Sequence, residues 1–295
     1  MPHPREHQRH IRRDARAAGA RLGLAARRAL GGDEQGGAVA LMVDPAELDA
    51  ADFVAGVAET APNLLITGAG ASGGEAGCRV FFEGEAHLDS CVALFIPREL
   101  NPSCGMTQGC QALGEALTIT AAEGNLILEL DGRPPVEALQ RALSDPRHGM
   151  LRHMTPHLLA GIGELGSGGR SDYVVRPFAV AEGKRSALAV VEPVRPGQTI
   201  RFTVRDAISA RDDMKAMLDE QADTRGDNRP AFAIYFKCAG RGSELYGQPG
   251  LDPELIRRRF GKLAVAGMES SFEIAPACGR PRIHMFTGVL LFAGA

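Results

Sequence analysis

The chain has 295 residues, 44% of them hydrophobic, and its 33 Lys and Arg against 36 Asp and Glu leave a net charge of −3. That much apolar chain suffices for two ordinary cores and excludes a disordered or fibrous protein. The mixed charge sets nucleic acid aside as a partner, and no apolar run approaches the ~20 residues of a membrane-spanning helix.

The first 28 residues carry eight arginines, and residues 1–31 read as a basic head and an amphipathic helix with Leu22, Leu24, Ala25, Ala29 and Leu30 on one side. A nucleic-acid or membrane contact is the other reading of that charge. "AVALMV" at 38–43 is a buried strand, and Pro45–Ala58 a helix opening on proline. A strand at 64–67 leads into the bend "GAGASGG", followed by strands at 79–83 and 91–96. Residues 115–130 form a hairpin turning at Glu123-Gly124-Asn125, and Asp131 to Pro135 marks a boundary between lobes at 32–133 and 134–295.

In the second lobe, helices fall at 136–143 and 149–161, with a Gly/Ser loop at 163–171. Strands follow at 173–178, 187–192 and 199–204, then a helix at 206–221 with Asp206 as N-cap. A strand begins at 231, a helix at 252–260 has Asp252 as N-cap and Pro253 at its first position, and strands at 263–267 and 285–292 close the chain. The pattern is α+β: two similar lobes of mixed or antiparallel sheet with packed helices. The segments from 37 and from 230 repeat one order of elements, aligning Gly68 with Gly267, Ser72 with Ser271 and Glu75 with Glu273. A cleft between such lobes is where a small ligand is expected.

The first candidate site is "KCAGRG", at the end of the strand from 231. Gly240 and Gly242 bend the backbone and expose N–H groups, while Arg241 offers a planar fork for a carboxylate or phosphate. A plain strand-ending turn with a solvated arginine is the alternative. Cys238 reads as a nucleophile only with a base and a lowered pKa, and His284 is the distant candidate. Gly68 and Gly70 belong either to a glycine-rich pocket wall or to a plain loop; strand-like sequence follows them, so a dinucleotide fingerprint is excluded. Glu273, between apolar neighbours, calls for a partner: Arg241, Arg205 or a ligand amine. The bland reading is a surface glutamate. Arg205 then points to the same cleft.

Metal spacing is poor throughout, including Cys104 with Cys110 and His148, His153 and His157, so no metal and no cofactor is expected. The six cysteines (78, 91, 104, 110, 238 and 278) are scattered and no secretory segment is in view, so reduced thiols in a cytoplasmic protein are expected.

"TQGCQALGEALTITAAEGNLILELDGRPPVEAL", "RPFAVAEGKRSALAVVEPVRPGQTIRFTVRDA", "FKCAGRGSELYG" and "VAGMESSFEIAP" with "HMFTGVLLF" stand in the order and spacing of FIST-domain proteins, which this chain resembles from about residue 38 to the end. The resemblance implies a bilobal sensory module that binds small ligands, amino acids among them, without known catalysis. Lys237 stands where family members often have Ser, and Phe272 where many have Gly; the N-terminal part looks short. With no kinase, methyl-accepting or F-box segment attached, output is expected to run through a downstream signalling protein. The expectation is thus an amino-acid-like small ligand held by Cys238, Gly240, Arg241, Gly242, Glu273, Arg205, Gly68 and Gly70. The alternatives are a cysteine-dependent enzyme using Cys238, or a protein-binding scaffold docking through its basic arm.

Overall fold

The computed structural model describes residues 4–32, 37–46, 48–73, 78–88, 90–144, 158–166, 172–181 and 187–294, without the side chains of residues 4–13. The chain is α+β and divides into two compact units, one made of Met1–Thr107 with Met214–Ala295, the other of Gln108–Asp213.

The first unit begins with α1 (Pro4–Ala29), β1 (Ala38–Val43), α2 (Ala50–Thr60), β2 (Leu65–Ala71), β3 (Val80–Phe82), β4 (Glu85–His87), β5 (Cys91–Ile96) and β6 (Ser103–Thr107). The second unit holds β7 (Gln111–Glu123), β8 (Leu126–Leu130), α3 (Pro135–Ser144), β9 (Leu158–Glu164), β10 (Tyr173–Arg176), β11 (Phe178–Val180), β12 (Leu188–Val190) and β13 (Gln198–Val204). α4 (Ala207–Arg225) leads back to the first unit, completed by β14 (Phe232–Cys238), α5 (Ser243–Tyr246), α6 (Leu251–Phe260), β15 (Ala264–Ala277), β16 (Arg280–His284) and β17 (Gly288–Ala293).

The first unit is built on one sheet in the order β5-β1-β2-β15-β14-β17-β6, with β16 on β15. β1 and β2 are parallel, as are β14 and β15; β5 and β17 run antiparallel to β1 and β14, and β2 meets β15 antiparallel. The order reads the same from either side of the β2/β15 junction, which makes the repeat a structural one. Both repeats belong to the same sheet. Alternation sets the faces: Val39, Leu41 and Val43 pack with Phe53, Val54 and Val57 of α2, and Ala233 and Tyr235 pack with Leu255 and Ile256 of α6. Ala38, Ala40, Phe236 and Val289 form an opposite cluster that also takes in Ile96 of β5 and Met106 of β6, so the sheet curls and brings its outer strands to one inner core.

Several expectations need correction. Helix α2 begins at Ala50, not at proline, because Asp49 accepts from the N–H groups of Ala51 and Asp52 and so caps it. The stretch "GAGASGG" is strand as far as Ala71. Residues 158–161 belong to β9, flanked by β10 and β13, and the rest of the helix expected at 149–161 lies outside the described residues, as do Glu75, His148, His153 and His157. The reason is tertiary: Gly161 lies under the Tyr173 ring, so pairing and close packing override local helical character. Among the described side chains of α1, the buried positions are Ala15, Gly19, Gly23 and Ala26, whereas Leu24, Ala25 and Ala29 face solvent. Backbone approach explains this: a Cβ at Gly19 would overlap the Phe53 carbonyl of α2. The expected hairpin stands as β7 and β8, and Asp206 caps α4 through the N–H groups of Ile208 and Ser209.

The second unit is a seven-stranded antiparallel sheet, β10-β9-β13-β7-β8-β12-β11. Its long strand β7 changes partner from β13 to β8 across bulges. Leu113, Ile119, Ile127, Ile162, Ile200 and Phe202 make its core, with Ala138 and Leu139 of α3.

Candidate functional site

The parallel strands β14 and β15 end side by side, with Cys238 opposite Ser270. The chain leaves β14 through a turn in which the Arg241 N–H donates to the Cys238 carbonyl at 2.9 Å. Two further backbone bonds fasten the turn: Cys238 N–H to the Thr287 carbonyl at 3.0 Å, and Ala239 N–H to the Ser270 carbonyl at 2.9 Å. Ser270 and Thr287 are also the residues that hold Glu273. Ser270 Oγ donates to Glu273 Oε1 at 2.6 Å, and Thr287 donates to Oε2 from its Oγ1 at 2.6 Å and its N–H at 3.1 Å. The two pieces expected to act together, "KCAGRG" and "SSFEIAP", are therefore stitched through one pair of residues.

Glu273 is fully buried. Burial pushes its carboxyl up to about 7, against the opposing pull of the Ser270 and Thr287 hydrogen bonds and the Arg241 charge. The surface reading of Glu273 is excluded. His284 is its neighbour across the β15/β16 ladder, and Nε2 of that ring lies 3.1 Å from the Ala275 carbonyl.

Arg241 is also buried, and its fork is turned to Asp252: Nε to Oδ2 at 3.1 Å and Nη2 to Oδ1 at 3.3 Å. Asp252 further accepts from the Tyr235 hydroxyl at 2.7 Å and the Tyr246 hydroxyl at 2.8 Å, so all its acceptor sites are used. The N-cap expected of Asp252 is replaced by this buried pair, and Gly250 stands at the cap position of α6. Burial, with Asp252 beside it, holds the Tyr235 hydroxyl well above its ordinary range, so it remains a neutral donor. Arg241 Nη2 also donates to the Tyr246 hydroxyl at 2.8 Å, while the buried Nη1 has no hydrogen-bond partner among the described residues.

Gly240 and Gly242 do lie in the turn, but neither has positive φ; the left-handed positions are Gly247 and Gly250, at the ends of the short helix and its following loop. Cys238 is a buried thiol beside them. Gly68 and Gly70 stand on β2, opposite Ile274 and Phe272, with Ala69 opposite Glu273. The Phe272 ring covers Gly70 where a Cβ would be. Lys237 pairs with Glu269 at 2.6 Å. Arg205 belongs to the other unit, between β13 and α4.

Tyr235, Tyr246, Ser270 and Thr287 were missed from sequence. The one available signal was scarcity: Tyr235 and Tyr246 are two of only three tyrosines in the chain. A cavity of about 490 Å³ abuts the network through Tyr235, lined also by Ile256, Arg257, Lys262, Leu263 and Val265. Among the described residues no helix is long and apolar enough to cross a membrane, and no cluster of three or more His, Cys, Asp or Glu is placed to hold a metal ion.

An α+β chain with an internal repeat and a buried acid–base network where two parallel strands end is the class defined by fold and site. Family models place it further: the FIST N domain matches residues 4–133 and the FIST C domain residues 135–276, and the chain belongs to the FIST family. FIST domains are proposed small-ligand sensory modules. The N-terminal model takes in α1, and the two models meet inside the second unit. An uncharacterised protein of Mycobacterium bovis and one of Mycobacterium tuberculosis are each 30% identical to the chain over 231 residues, covering 77% of it and 59% of the relative. A second uncharacterised M. tuberculosis protein is 29% identical over 231 residues, 77% of this chain and 60% of its own length. The chain thus spans about three fifths of the curated relatives it matches.

Proposed function

We propose that this chain is a small-ligand sensor of the cytoplasm, taking an amino acid or similar metabolite at the Arg241 and Glu273 turn and signalling through a second protein. One observation carries the reading. Glu273 is fully buried with hydroxyl and N–H donors around it, but no cation lies within ion-pair distance among the described residues. A ligand ammonium supplies that charge. The spare Nη1 of Arg241 supports an acceptor at the ligand's other end, a carbonyl or carboxylate oxygen. Because Asp252 already balances Arg241, the ammonium at Glu273 carries most of the discrimination. Cys238, Gly240 and Gly242 form the turn beside the ligand.

Thermal shift against an amino-acid panel tests this, with Glu273→Gln as the control variant. Ammonium binding requires the carboxylate, so the shift in the wild type is larger at pH 8 than at pH 6, on the two sides of the carboxyl's midpoint near 7. It disappears in the variant. No shift with any amino acid, or one that Glu273→Gln leaves intact, removes the proposal.

A further inference from the structure

Arg225, in the last turn of α4, is a buried cation with no acid partner among the described residues. The residue is 5% exposed, and its partners are neutral: the carbonyls of Asn101 (2.9 Å), Asn228 (3.1 Å) and Gly294 (2.6 Å) and the Ser103 hydroxyl (3.1 Å). Burial pulls its pKa down from the ordinary guanidinium range, the mark of a charge that is solvated by dipoles and not balanced. Four of the five guanidinium N–H groups are thereby engaged, leaving one on Nη2.

This residue lines a cavity of about 700 Å³ where the C-terminal ends of α4 and α6 and their following loops converge. Arg229, Arg259 and Lys262 line it too, with Phe260 as an apolar wall and Asp223 as the acid. Arg259 is taken up by Asp219 at 2.7 Å and Asp223 at 3.5 Å. Arg229 and Lys262 lie beyond the helix ends, exposed, and make no ion pair among the described residues. Cations in a last helical turn ordinarily answer the helix dipole, which accounts for the placement of Arg225 and Arg259 but not for Arg229 or Lys262. The local balance is three cations, Arg225, Arg229 and Lys262, that no carboxylate among the described residues pairs with, around a space of metabolite size.

We infer that this cavity is a second ligand site, independent of the Glu273 turn, for a small molecule bearing two or more negative charges, phosphoryl or carboxylate. Arg225 supplies a fixed guanidinium on one wall, Arg229 and Lys262 close on the ligand from the rim, and Phe260 packs against its apolar part.

Calorimetric titration of the full chain with pyrophosphate and with citrate, at constant ionic strength, tests the site. Saturable one-to-one binding of at least one probe is expected, weakened about tenfold or more in the Arg229→Ala/Lys262→Ala double variant. Neither side chain has an ion pair to lose among the described residues, so the variant's melting temperature without ligand stays that of the wild type. Binding of pyrophosphate alone assigns the site to phosphoryl groups; binding of citrate alone assigns it to carboxylates. Saturation by neither probe overturns the inference, as does binding that the double variant retains in full. Binding only of an oligonucleotide, at a stoichiometry set by its length, also overturns it in favour of a nucleic-acid surface.

Discussion

Gly68 and Gly267 occupy one and the same position in two copies of a single structural unit. Gly68 lies opposite Leu41 in the parallel β1/β2 ladder, and Gly267 opposite Tyr235 in the parallel β14/β15 ladder. A Cβ on either would overlap the carbonyl oxygen of that partner. The match extends outward. Asp44 N–H donates to the Ser90 carbonyl at 2.9 Å as Cys238 N–H donates to Thr287, and Ser72 and Ser271 each reach across the β2/β15 junction, to the Glu269 and Ala71 carbonyls.

Alanine at either glycine therefore drives the paired strands apart. Gly68→Ala and Gly267→Ala are each expected to cost at least about 1–3 kcal/mol by overpacking against backbone that has no rotamer to yield. Gly68 carries the larger cost, since its φ of 150° is also unfavourable for a side chain. Urea midpoints measure both; a value unchanged from wild type denies the shared constraint.

Arg241 and Asp252 answer each other inside the protein, at 0% and 1% side-chain exposure. Removing one leaves the other charge buried and alone, so Arg241→Ala and Asp252→Ala are each expected to cost about 3–5 kcal/mol. The double variant loses less than the sum. Additive losses in a double-mutant cycle would show that the pair is not a unit.

Glu273 gives a pH dependence of definite sign. Its carboxyl rises from the usual 4.5 to about 7 on folding, so between those values the folded chain holds a proton that the unfolded chain releases. The group's destabilising effect grows as pH rises through that window, to about 3 kcal/mol above pH 7. Glu273→Gln lacks this slope. Urea unfolding at pH 5 and pH 8 should show the wild type losing about that much relative to the variant, and parallel profiles would falsify the assignment.

Phe272 and Gly70 are a cross-strand pair in which the ring lies over the missing Cβ. Gly70→Ala alone is expected to destabilise by about 1–3 kcal/mol. Adding Phe272→Ala removes the collision, so the two changes together cost less than their sum. A stable Gly70→Ala with unshifted midpoint would mean that the ring moves freely.

Much of the layout was legible because it is local. The apolar run "AVALMV", the turn at Glu123-Gly124-Asn125 and the capping acid Asp206 each act within a few residues, and each stands where the local sequence places it. The repeat was legible from Gly68 and Gly267. Errors fell where a distant partner decides. Residues 158–161 are strand because two neighbours flank them, and Leu24 faces water because glycines on another face of α1 let α2 approach.

The same division runs through the site. Residue order alone determined that a glycine-bracketed arginine would follow a buried strand, and that Glu273 would need partners. Only the tertiary structure decided which partners: Asp252 for Arg241, Ser270 and Thr287 for Glu273. A buried charge takes whatever group the fold brings within about 3 Å; Asp252 is 11 residues from Arg241 and Thr287 is 14 from Glu273, and the turns and strand pairing that bring them together are not written in any local pattern.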